Sequence, residues 1–143
     1  MLGGMTTQTQ PKLDAVGIVV KDMARSLAFY REMGFDLPTE ADAEPHVQAE
    51  LPGGLRVLWD TIETIRSFDP EWAAPLGGPA IGLAFALDTA SDVDATYERL
   101  LSLGYKGHKE PWDAFWGQRY AVIVDPDGNH VDLFSPNEAP AAT

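Results

Sequence analysis

The chain contains no cysteine. That excludes disulfides, thiolate metal sites and a cysteine nucleophile together. It also has no apolar run near the roughly 18 residues a membrane-crossing helix needs. Positive charge is scarce: 10 Lys and Arg stand against 22 Asp and Glu, for a net charge of −12. Nucleic acid and anionic membrane surfaces are therefore excluded as partners, whereas a cationic partner is allowed. No phosphate-binding loop, zinc motif or Ser/His/Asp set is present. The first residues, MLGGMTTQTQPK, carry no apolar signal core and no Gly at position 2 to accept myristate. We read residues 1–12 as a loose leader, with Met5 an alternative start, and expect a cytoplasmic protein.

What remains suits one compact domain. The chain has 143 residues, 45% of them hydrophobic, enough for a real core. The stretch from Pro111 to Pro136 organises it. An aromatic-rich extended segment leads into a strand at Arg119–Val124, a tight turn at Asp125–Asn129 and a returning strand at Val131–Phe134. Pro126 presets φ for a turn, and Gly128 accepts positive φ without steric cost. The returning strand alternates, with His130, Asp132 and Phe134 on one face and Val131 and Leu133 on the other. Asp125, Asp127 and Asn129 also match positions 1, 3 and 5 of a calcium loop. Positions 6 and 12 would require Gly and Glu but hold His130 and Pro136, so the turn reads as structural.

In chain order, Leu13–Val20 reads as a buried strand. Asp22 caps a helix whose face is Met23, Leu27 and Tyr30, and Gly34 ends it. Phe35–Pro38 begins a second extended piece. His46–Leu51 alternates, placing His46, Gln48 and Glu50 on one face, and Leu55–Asp60 is a fourth strand. Thr61–Pro79 is irregular; Asp69-Pro70-Glu71 is expected to start a short helix carrying Trp72. A connection of that length is a linker or a flap. Ile81–Asp88 is again a strand. Ser91-Asp-Val-Asp94 reads as a capping box before a helix with Val93, Tyr97 and Leu100 on one face, ended by Gly104. Tyr105–Trp112 supplies a further strand.

A repeat emerges: strand, cap, helix and Gly-aromatic recur from Val16–Phe35 to Ile81–Tyr105. Each unit is too small to bury its own sheet, so two must share a core. The expected fold is α+β: paired βαβββ modules forming a cupped mixed sheet with helices outside. The expected divisions are residues 13–60 and 80–136 for the modules, 61–79 for the linker or flap, and 137–143 for a tail.

Asp22-Met-Ala-Arg-Ser-Leu-Ala-Phe-Tyr30, the Leu-Gly104-Tyr helix end and Asp125-Pro-Asp-Gly-Asn-His-Val-Asp-Leu-Phe134 together resemble the vicinal oxygen chelate superfamily. That superfamily includes glyoxalase I, ring-cleaving dioxygenases and bleomycin-resistance proteins. The resemblance covers Leu13 to Pro136 and implies dimerisation that completes the sites. The family's enzymes hold a divalent metal with four His or Glu side chains from the first and last strand of each module. The matching first-strand positions are Ala15 or Gly17 and Gly82 or Ala80. The last strand of module one offers nothing until Asp60. Only Asp132 keeps a carboxylate where the enzymes have Glu. His46, His108 and His130 lie off the pattern. No metal or other cofactor is therefore expected.

The Trp-Gly-Gln-Arg119 run and its hairpin are similar to the bleomycin-resistance branch, whose members bind drugs in a crevice between subunits. The resemblance implies a metal-free binding protein, a homodimer sequestering a cationic or aromatic small molecule. Trp59, Trp72, Trp112, Phe115 and Trp116 are the stacking candidates. Gln48 and Glu50 are expected to line the cup. Asp132 either fixes a ligand amine or pairs with Arg119 or Arg56. One alternative is a metal-dependent lyase, isomerase or dioxygenase using Asp132, Glu50 or His46 as atypical ligands. Another is a non-catalytic interaction domain.

Overall fold

The structure, a computed structural model, describes residues 10, 12–78 and 81–136. Residues 1–9 and 11 of the expected leader (1–12), residue 79 of the linker, residue 80 of the second module and the tail at 137–143 lie outside them. Among the described residues, seven strands and three α-helices run in the order β1 (Ala15–Val20), α1 (Met23–Glu32), β2 (His46–Glu50), β3 (Arg56–Thr61), α2 (Ile62–Phe68), β4 (Leu83–Ala86), α3 (Ala90–Ser102), β5 (Lys106–Ala114), β6 (Gln118–Val124) and β7 (His130–Pro136).

The strands make two mixed sheets, ordered β1-β3-β2 and β4-β7-β6-β5. In each, the first strand lies parallel to the last strand of its unit and the other pairs are antiparallel. This is the expected α+β arrangement, with helices against one face of each sheet. On β7, Val131, Leu133 and Ser135 are fully buried while His130, Asp132 and Phe134 are half-buried, as alternation requires. Helix α3 buries Val93, Tyr97 and Leu100 and contacts β5, β6 and β7. Helix α1 buries Met23, Leu27 and Tyr30, joined by Ser26 and Phe29. Side chains from both units form one core cluster, including Val20, Leu27, Phe29, Trp59, Leu100, Ile123 and Leu133.

Several local expectations change. The strands expected at Leu13–Val20 and Ile81–Asp88 are shorter, because Leu13 and Ile81 are exposed and precede them. Phe35–Pro38 pairs with no strand, so the first sheet has three strands. Its carbonyls are taken by Arg31, whose Nε donates to Leu37 O at 2.7 Å and Nη2 to Pro38 O at 2.8 Å. Pro38 has no N–H to offer a neighbour. The capping box of α3 is Thr89 with Asp92, not Ser91 with Asp94: Thr89 Oγ1 accepts from Asp92 N at 3.1 Å and Asp92 Oδ2 from Thr89 N at 3.2 Å. The linker helix starts at Ile62 and not at Asp69-Pro70-Glu71, because Thr61 caps it by accepting from Thr64 N at 3.1 Å. Finally, β5 and β7 each run two residues beyond the expected Trp112 and Phe134, so Ala114 and Ser135 are paired strand residues.

The hairpin turn forms as its residues require. Gly128 has φ 90°. Asp125 Oδ1 accepts from Asp127 N at 2.9 Å and Asn129 N at 2.8 Å. Asp125 Oδ2 also accepts from the buried Tyr30 hydroxyl at 2.7 Å, tying the turn of the second unit to the helix of the first. Backbone N–H of Lys21 adds a bond to Asp127 Oδ1 at 2.9 Å.

Candidate functional site

Each sheet buries one face and leaves the other to solvent, so the open faces are where chemistry can be presented. On the second sheet, Trp112 of β5 lies opposite Tyr120 of β6, and Tyr120 lies opposite Phe134 of β7. A register shift in β5 between Lys109 and Trp112 re-aims the strand just before the tryptophan. Ring centroids lie 5.5 Å apart for Trp112 and Tyr120, and 5.4 Å for Trp116 and Tyr120. They are 6.0 Å apart for Trp112 and Trp116, and 6.2 Å for the near-parallel Tyr120 and Phe134. Edge-to-face and offset packing at these separations is the arrangement aromatic quadrupoles favour. Phe115 extends the set, 5.0 Å from Trp116. These two stand at the β5–β6 turn, 95% and 49% exposed. The Lys109 ammonium sits 4.7 Å from the Trp112 ring centre, so that ring already meets a cation.

Asp132 joins this face. It accepts from the Tyr120 hydroxyl at 2.5 Å. Partial burial first, and the hydrogen bond to Asp132 second, push the Tyr120 phenol up to about 12. Tyr120 is therefore a neutral donor at physiological pH and Asp132 the acceptor. Neither arginine considered as a partner reaches Asp132. Arg119 instead bridges Asp94 of α3, at 2.9 Å, and Asp113 of β5, at 3.1 Å. The hydrogen bond to Asp94 leads the effects that hold its guanidinium above its usual range. Arg56 binds Asp14 and Gln48.

The sequence-selected residues thus divide. Trp112, Phe115, Trp116 and Asp132 come together on one surface. Tyr120 and Phe134 belong with them and were missed; strand alternation counted outward from the Asp125–Asn129 turn would have found both. Trp59 does not belong: it is 0% exposed on the buried face of β3, between Tyr30 and Phe35, and presents no surface to a ligand. Trp72 follows α2, half-buried beneath the Arg66 guanidinium at 5.9 Å. Gln48 and Glu50 are exposed on β2 of the other sheet, beside His46, Asp60 and Arg56.

The metal positions can be tested on their donors. Ala15 and Gly17 of β1 offer none, and neither does Gly82; Ala80 lies outside the described residues. Asp60 is engaged by His46 and Asp132 by Tyr120. Among the described residues no group of three His, Asp or Glu side chains is placed to hold an ion. This donor set does not fit the divalent metal of the family's enzymes. Also among the described residues, no helix is long and apolar enough to cross a membrane.

Residues 12–133 match the model of the Glyoxalase/Bleomycin resistance protein/Dioxygenase superfamily. Uncharacterized protein Mb0911c of Mycobacterium bovis is 28% identical over 138 residues, covering 92% of this chain and 88% of that one. A crystal structure of a glyoxalase/bleomycin resistance protein/dioxygenase from Nocardioides superposes with TM-score 0.72 at 25% identity, covering 94% of this chain and 89% of that chain. A glyoxalase/bleomycin resistance protein/dioxygenase family enzyme from Burkholderia phytofirmans gives TM-score 0.75 at 20% identity, covering 88% and 99%. Motifs, paired units and family match agree: the chain belongs to the glyoxalase/bleomycin resistance protein/dioxygenase superfamily.

Proposed function

We propose that the protein is a metal-free binding protein of the bleomycin-resistance type, holding a planar cationic or aromatic small molecule against the open face of its second sheet. The observation that carries this reading is the aromatic set on that face, with Phe115 and Trp116 exposed, Trp112, Tyr120 and Phe134 half-buried, and the carboxylate of Asp132 held by Tyr120. Flat rings supply stacking area and attract cations, and Asp132 supplies a fixed negative charge for a ligand amine. A net charge of −12 draws cations toward the chain. Sequestration needs affinity and no catalytic constellation, which suits a face without the family's metal donors. The face is an open sheet surface, so a second copy of the chain is the natural opposite wall of a crevice. The site is then that of a homodimer.

The test is thermal shift and tryptophan fluorescence on one purified sample. Zn²⁺, Ni²⁺, Mn²⁺ and Fe²⁺ are added in turn, then bleomycin-like and planar cationic compounds. A compound that binds only the folded state raises the melting point by mass action. We expect the metals to leave it unchanged and an aromatic cation to raise it while quenching fluorescence. Trp116→Ala should weaken that binding by about tenfold, the worth of roughly 1–2 kcal/mol of ring contact. Strong stabilisation by a divalent ion overturns the reading.

A further inference from the structure

The open face of the first sheet carries a second polar constellation, on a different sheet from the aromatic face. His46 and Asp60 are cross-strand neighbours on β2 and β3. Their side chains meet through His46 Nδ1 and Asp60 Oδ1 at 2.6 Å. On the other side of the ring, His46 Nε2 faces Gln48 Nε2 at 3.4 Å. Gln48 Oε1 in turn accepts from Arg56 Nη1 at 2.5 Å, and Arg56 Nη2 donates to Asp14 at 2.5 Å.

This chain of bonds fixes where the imidazole proton sits. A guanidinium can only donate, so the Gln48 atom facing Arg56 must be the carbonyl oxygen. The amide NH₂ of Gln48 therefore faces His46, and it too can only donate. In the neutral ring, His46 Nε2 is then the lone-pair nitrogen and the proton sits on Nδ1, pointing at Asp60. A base whose far nitrogen is held by a carboxylate, with its near nitrogen unprotonated and half-exposed, is the arrangement proton abstraction requires. The side chains of His46 and Asp60 are 42% and 17% exposed, so the base is reachable while its orienting group is shielded.

A groove of about 490 Å³ adjoins it, between the Gly34–Pro38 segment and β2. The groove exists because Phe35–Pro38 pairs with no strand and leaves the outer side of β2 open. Phe35, Leu37 and Ala41 give it an apolar wall; His46, Gln48, Glu44 and Glu50 give it a polar, acidic one. Anions are repelled there.

We propose that His46 is a general base serving this groove, with Asp60 and Gln48 as its positioning residues, and that the substrate is a neutral or cationic small organic molecule with an acidic C–H. The proton moves from substrate carbon to His46 Nε2. The resulting imidazolium is held by Asp60, and the C–H electron pair stays with the substrate.

The test uses the full chain and 5-nitrobenzisoxazole, an uncharged aromatic carbon acid. Abstraction of its C3 proton forms the C≡N triple bond and breaks N–O, releasing a coloured phenolate, so no other reactant is needed. We expect a rate at least about 100-fold above equimolar free imidazole, the usual scale of a positioned base. His46→Gln should abolish it with the melting curve unchanged, and Asp60→Asn should lower kcat about tenfold or more with KM unaltered. His108→Gln should leave it intact. Nitrogen-15 NMR of the unmodified chain should show His46 as the Nδ1–H tautomer. A rate no faster than imidazole, a rate untouched by His46→Gln or Asp60→Asn, or an Nε2–H tautomer overturns the proposal. None of these outcomes depends on whether the aromatic face binds a cation.

Discussion

At the residue scale, the decisive groups are buried or half-buried tyrosine and carboxylate oxygens that meet one another. Tyr30 donates to Asp125, and both are buried. Burial first, then the Asp125 charge, hold the Tyr30 phenol far above its usual range. Tyr30→Phe leaves Asp125 with its turn bonds but without this partner, and should cost about 1–3 kcal/mol in urea unfolding. Tyr120 makes a second prediction, in pH. Its pKa is about 12 in the folded chain against an ordinary value of 10.0, so the native state holds the proton more tightly. The associated stability is fully present below pH 10 and is lost as pH rises toward about 12. Unfolding curves at about pH 9 and about pH 12 should show a loss that shrinks in Tyr120→Phe. The sequence marked Asp125 as a turn former and Asp132 as an isolated carboxylate. Alternation across the hairpin could have placed Tyr120 beside Asp132, but Tyr30 and Asp125 stand 95 positions apart and only packing brings them together.

At the element scale, helix faces and their glycine stops were legible. Met23, Leu27 and Tyr30, and Val93, Tyr97 and Leu100, are buried as their spacing requires, and Gly34 and Gly104 both have φ 99°. Caps were less so, since Thr89, Ser91 and Asp94 all offer capping chemistry and only the trajectory leaving β4 selects Thr89. Thr89→Ala should cost about 1 kcal/mol, while Ser91→Ala should change stability by less than about 0.5 kcal/mol. Thermal melts of the two variants settle which residue is the cap. Strand β5 presses against α3 at Gly107, where an added Cβ would collide with the Tyr97 hydroxyl and lie 2.8 Å from its Cζ. Gly107→Ala should destabilise by about 1–3 kcal/mol, and Tyr97→Leu in the same chain should recover part of that. Nothing in the residues around Gly107 announced the constraint, because the atom that imposes it belongs to another element.

At the scale of the whole molecule, the two units share one core, and contacts such as Phe29 with Tyr105, at 5.0 Å between ring centres, join them. The Arg99–Glu32 pair also spans the units, but both side chains are well exposed, so Arg99→Ala should cost less than about 1 kcal/mol. Should the open faces be completed by a second copy, sedimentation will show a dimer that dissociates on dilution, and Phe115→Asp will shift it toward monomer. The sequence by itself determined the α+β class, the doubled unit, both helix faces, the hairpin turn and the family. The family rests on the resemblance of its motifs; the others rest on short-range rules: periodicity, capping and the φ demands of glycine and proline. Tertiary structure alone decided that Phe35–Pro38 stays out of the sheet, since Arg31 takes its carbonyls, and that Trp59 turns inward while Trp112 and Trp116 remain outside. It also decided that His46, Gln48, Arg56 and Asp60 form one network. Those outcomes depend on which side chains three-dimensional packing brings to an unsatisfied oxygen or an open face, and periodicity and capping do not encode that.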